Sequence, residues 1–96
     1  MSTDLDVRHD AHAGRFEAVV DGHRCELDYH LAGGVMDIVH TGVPPAVGGR
    51  GIAAELVRVA LAHARAQGWR VRPTCSYVQV YMRRHPETQD LLSGTR

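Results

Sequence analysis

At three places in this chain of 96 residues, glycine, cysteine and histidine stand where they can do chemistry. The first is Val47-Gly48-Gly49-Arg50-Gly51-Ile52-Ala53, which follows Pro44-Pro45 and runs into a long segment with helical periodicity. Glycines at 48, 49 and 51 leave backbone N–H groups uncovered and permit unusual backbone angles. The first N–H groups of a helix have no partner within it, and the helix dipole adds partial positive charge there. Together they form an anion site suited to a pyrophosphate, to which Arg50 can add a charged contact. The same glycines also suit a plain tight turn before a helix, and spacing alone leaves both readings open. No Gly-Lys-Ser/Thr ends the turn and the G-x-G-x-x-G spacing is unmet, so neither common nucleotide fingerprint is present. The second place is Cys75, where an apolar strand pattern gives way to a helix, a position that lowers a thiol's pKa. It suits a covalent nucleophile or a small packing residue. The third is His40, a strand histidine able to move a proton near neutral pH or to hydrogen-bond locally.

The other candidates weaken on inspection. Cys25 lies mid-strand between residues of a core pattern, and a cytosolic pair such as Cys25 and Cys75 rarely forms a structural disulfide. Seven histidines show no Cys/His spacing of the zinc kind, so no metal is expected. No Gly-x-Ser-x-Gly occurs.

These residues need elements to hold them. Residues 1–14 are polar and read as a flexible lead-in, leaving a domain over 15–92. Arg15 to Val20 alternates, and Asp21-Gly22 signals a tight hairpin. His23 to Leu31 sets Cys25, Leu27, Tyr29 and Leu31 against Arg24, Glu26, Asp28 and His30, a strand with one buried face. After Gly33-Gly34, Val35 to Val43 predicts a third strand, with Met36, Ile38 and His40 on one side and Val35, Val39 and Thr41 on the other. Pro44-Pro45 stops it. Ala53, Leu56, Val57, Ala60 and Ala64 give a helix over 52–67 an apolar stripe, and Gly68 ends it. A short strand over 69–74, a helix over 76–84 and a turn over 87–92 follow, with the last four residues loose. The expected fold is α/β: antiparallel strands followed by a β-α-β-α unit, forming a mixed sheet with helices packed on it.

Bulk properties limit the function. Eleven basic and eleven acidic side chains cancel, which gives no electrostatic case for nucleic acid. No apolar run approaches the roughly 18–20 residues that cross a bilayer, and the N-terminus has no secretory pattern. A cytoplasmic monomer or weak dimer is expected.

The glycine turn after Val43-Pro44-Pro45 resembles motif A of the GNAT acetyltransferases, with Gly51-Ile52-Ala53 matching its second half and Gly48 standing where Gln or Arg is usual. His40-Thr41-Gly42-Val43-Pro44-Pro45, Pro73-Thr74-Cys75-Ser76-Tyr77-Val78, Arg84-His85-Pro86-Glu87 and Asp90-Leu91-Leu92 follow in order. Over about residues 16–92 the chain is similar to the short, single-domain YjdJ-type GNAT group. The resemblance implies a minimal GNAT-like fold that binds acetyl-CoA (coenzyme A) and transfers acetyl to an amine, suitably one carried by a protein or peptide lying across an open groove. It places the pyrophosphate on Gly48, Gly49, Arg50, Gly51, Ile52 and Ala53, and the thioester carbonyl on the Val43 N–H. Gly42 stands where the group often has glutamate, so the simplest base is missing and His40 is the substitute. Cys75 falls beside the thioester path. Tyr81 matches the tyrosine that protonates the departing thiolate, or is a core tyrosine. Two rival readings remain: a CoA-binding module without transfer activity, and an interaction domain that has lost the ligand.

Overall fold

The computed structural model describes residues 5–93. The outermost residues of the expected lead-in and of the expected loose C-terminus lie outside that range. The strands are β1 (Arg8–Asp10), β2 (Arg15–Val20), β3 (His23–Ala32), β4 (Val35–Gly42) and β5 (Arg70–Pro73). Two helices, α1 (Ile52–Gln67) and α2 (Ser76–Arg84), accompany them, with 3-10 turns at Pro45–Val47 and Pro86–Leu91. The strands form one sheet in the order β1-β2-β3-β4-β5. All neighbours are antiparallel except β4 and β5, which are parallel across the α1 crossover.

The two hairpins form where their sequences ask for them. Asp21 (φ 50°) and Gly22 (φ 78°) both take the left-handed angles that match strand twist in a two-residue turn. The alternation in β2 and β3 then buries Phe16, Ala18, Cys25, Leu27 and Tyr29. Met36, Ile38 and Val71 extend that face, and Leu56, Val57, Ala60 and Ala64 of α1 close it from above. Val78 and Met82 bring α2 into the same core. Each of the larger aliphatic and aromatic side chains among these contributes about 1.5–3 kcal/mol on burial. The opposite sheet face is charged and tied by ion pairs, Arg15 to Asp28 at 2.8 Å and Arg24 to Glu26 at 3.3 Å.

Three details differ from the sequence reading. A strand lies inside the expected lead-in, with Arg8 opposite Glu17 and Asp10 opposite Arg15. It is too short and too polar to show alternation. The tail also does more than turn: Leu92 bridges to Val71, and the Ser93 N–H donates to the Val71 carbonyl, covering the edge of β5. The third difference bears on chemistry. Tyr29 pairs with Ile38 but Asp28 pairs with His40, so Val39 is the extra residue of a β-bulge. A bulge resets the alternation. His40 therefore leaves the core side of Met36 and Ile38, where alternation had placed it, and joins the charged face.

Candidate functional site

The glycine turn is a bare cradle of amides. Gly49 and Gly51 take φ of 76° and 78°, a region costly for any residue with a Cβ. A Cβ built at either would meet no protein atom, so open space lies above them. Gly51 caps α1 with no side-chain hydrogen bond. Among the described residues, no backbone or side-chain acceptor takes the N–H groups of Gly49, Arg50, Gly51, Ile52 or Ala53. Gly48 differs, since its N–H donates to the Pro45 carbonyl at 3.1 Å. Arg50 reaches back to Asp21 of the β2–β3 hairpin at 2.7 Å, a partner not apparent in the sequence. Such an exposed pair contributes about 0–1 kcal/mol, so an arriving phosphate can take over the guanidinium.

Beside this cradle the sheet parts. The pairing of β4 with β5 ends at Ile38 opposite Pro73, and the Cys75 N–H donates once more to the Ile38 carbonyl at 2.9 Å. From there β4 continues to Gly42 while the other chain turns into α2. The edge of β4 over residues 39–42 thus faces a gap, and Val43 lies at its end beyond the last β3 pairing, Glu26 with Gly42. A depression lined by Arg24, Glu26, Gly42, Val43 and Pro44 opens there on the charged face.

The three catalytic candidates stand apart. Cys75 is the N-cap of α2 and is half-buried, with its Sγ 3.8 Å from the Thr41 Oγ1. The bulge that sends His40 to the charged face sends Thr41 to this side, so β4 separates Cys75 from His40. His40 is half exposed, with its Nε2 3.5 Å from the Glu26 Oε2. Tyr81 lies six residues past the cap, about 9 Å along the helix axis. Its ring stacks on His85 with centroids 3.9 Å apart, beside Arg58, Leu61 and Leu91. Burial, with Glu87 second, pushes its hydroxyl pKa up. A residue that sequence reasoning missed is Glu26. It was placed on the polar face of its strand, but which residue it faces depends on the register and the bulge.

Glu26, Asp28 and His40 bring three possible metal-ligand atoms within 4.8 Å of one another. Two arginines already balance its two carboxylates, Arg15 at 2.8 Å from Asp28 and Arg24 at 3.3 Å from Glu26. Cys25 is wholly buried, and burial raises its pKa, as befits a core thiol. No helix among the described residues is long and apolar enough to cross a membrane.

An amide cradle before a central helix, beside a parted pair of parallel strands, sits in a fold with relatives among known proteins. Residues 15–91 match the family model described as GCN5-related N-acetyl-transferase, and the chain belongs to that family. It is similar to protein NATD1 of Gallus gallus, 34% identical over 91% of this chain and 82% of the relative. NATD1 of Homo sapiens is 35% identical over 88% of this chain and 78% of the relative. The solution structure of a GCN5-like protein from Staphylococcus aureus aligns with a TM-score of 0.75, covering 99% of this chain and 94% of that one. At 22% identity that likeness shows the fold alone.

Proposed function

We propose that this domain binds acetyl-CoA and transfers the acetyl group to an amine. The observation that carries the reading is the set of unpartnered amides over residues 49–53, at the mouth of α1 and beside the parted end of β4. Those donors suit a pyrophosphate. From there the pantetheine arm runs into the gap between β4 and α2, with Cys75 as one wall. The Val43 N–H then faces the thioester carbonyl and stabilises the oxyanion as it forms.

The acceptor comes from the charged face, through the depression beside Gly42 and Val43. Its nitrogen attacks the carbonyl carbon. A C–N bond forms, and the C–S bond breaks with its electron pair left on sulfur. His40 takes the proton released from nitrogen, and the thiolate takes up a proton to leave as free CoA. Among the described residues the Cys75 thiol meets the Thr41 hydroxyl and no histidine or carboxylate, which favours direct attack over a relay through Cys75. The acceptor is an exposed amine on a protein or peptide, because the depression is widely open to solvent.

Labelled acetyl transfer over a panel of small amines, lysine peptides and proteins tests the reading. The expected result is acetylated amine together with free CoA. Binding of acetyl-CoA with no transfer to any acceptor would leave a CoA-binding module instead. Mass spectrometry after mixing with acetyl-CoA alone decides the route. An unmodified chain is expected, whereas an acetyl group on Cys75 would establish the relay.

A further inference from the structure

Resting on the function proposed above, we propose that Glu26 is the positioning carboxylate of the site, supplied to His40 from the neighbouring strand. The argument starts at Gly42. Its backbone is not in the left-handed region, so the chain path does not require glycine there. What a side chain there would meet is the pair itself. A Cβ at this position would come 2.9 Å from the His40 Nε2 and 3.5 Å from the Glu26 Oε2. Imidazole and carboxylate together fill the volume that a side chain at 42 would take.

Two features of the sheet bring them there. Glu26 lies directly opposite Gly42 in the β3–β4 register. The bulge at Val39 swings His40 to the same face, where its Nε2 is 3.5 Å from the Glu26 Oε2. Either feature alone would leave the two apart. Glu26 is also held in place, with Arg24 at 3.3 Å and Arg15 at 4.0 Å. Glu26 lines the depression through which the acceptor arrives, and so does Gly42, beside which the His40 ring lies.

A carboxylate beside one ring nitrogen favours the tautomer with its proton there, leaving the other nitrogen's lone pair for the amine. Glu26 at Nε2 thus turns Nδ1 into the base. It acts through His40, giving the nucleophile side of the reaction the base-and-orienter arrangement common to acyl transfer.

The test uses the full chain and four forms: wild type, Glu26→Gln, Glu26→Ala, and Glu26→Ala with Gly42→Glu, which moves the carboxylate to β4. Glu26 is partly exposed and outside the core, so all should fold, and thermal melts check this. Calorimetry should show acetyl-CoA affinity unchanged. With the best amine of the panel, kcat should fall about 10-fold in both single variants, with KM for acetyl-CoA unmoved. The double variant should recover most of that loss, since the exposed His40 ring can shift to admit the new side chain. Imidazole 15N shifts of His40 should report the Nε2–H tautomer in wild type and lose that bias in Glu26→Gln. Unchanged kcat in Glu26→Gln, or a double variant no better than Glu26→Ala, would overturn the proposal and leave Glu26 as a brace for Arg15 and Arg24. Should wild type bind no acetyl-CoA, the proposed function fails. The 15N shifts then decide alone: a change on Glu26→Gln supports the pair, and no change overturns it.

Discussion

Gly51 has a φ of 78° and a ψ of 15°, with empty space where a side chain would go. Gly51→Val therefore costs the fold about 1–3 kcal/mol of backbone strain, while its Cβ meets no protein atom within 4 Å. Its methyl groups would stand over the free amides, where the pyrophosphate is expected. Calorimetry should show acetyl-CoA affinity lowered about 10-fold or more, with a smaller loss for Gly51→Ala, which carries less strain and less bulk. Equal affinity in a folded Gly51→Val would place the phosphates elsewhere. Such single residues are the part of the candidate site most legible in the sequence. Gly49, Gly51 and Cys75 announce themselves by type and by the strand and helix patterns around them. The companion of His40 was not legible. Glu26 is one of several charges on an alternating strand, and nothing local distinguishes it from Asp28 or Glu17. Only the cross-strand register picks it out.

Strand β4 shows the same limit for elements. Strict alternation runs correctly from Met36 to Ile38, and one inserted residue reverses it for His40 and Thr41. Helix α1, by contrast, was legible over its full extent, because its apolar stripe repeats for four turns and glycine stands at each end. Strand β1 was missed because its stability comes from tertiary contact. Its His9 ring stacks on Phe16 with centroids 4.1 Å apart and an interplanar angle of 4°. The same ring meets the Tyr29 hydroxyl at 2.6 Å and His63 of α1 edge-on at 4.5 Å. Loss of hydration, then the neighbouring His63, lower the His9 pKa from its ordinary value of 6.5, while Asp10 opposes them. The folded state then binds fewer protons at this ring than the unfolded chain does. The contribution of His9 to stability is thus complete above about pH 6.5 and is lost as pH falls through its lower folded value. Between pH 7.5 and 5.5 the melting temperature should fall more in wild type than in His9→Phe, which keeps the stack but cannot titrate. Identical slopes would remove His9 as the source.

For the whole molecule, eleven basic and eleven acidic side chains leave no net charge, so neither end of the sheet gains from a global field. Selectivity must come from local geometry. The two ends differ in that respect. One has the glycine cradle, the parted strands and the charged depression. The other has a roomier cleft lined by rings, among them His9, Tyr29, His63 and Trp69. By size alone the ring-lined cleft would be chosen as the site, but it lies beside the C-terminal end of α1, where the helix dipole repels a diphosphate. An amide-resolved NMR titration with acetyl-CoA tells the two apart directly. The largest shifts are predicted at the N–H groups of residues 49–53 and at Val43, with Tyr29, His63 and Trp69 unmoved. Shifts concentrated on those rings, or none at any amide, would contradict the account.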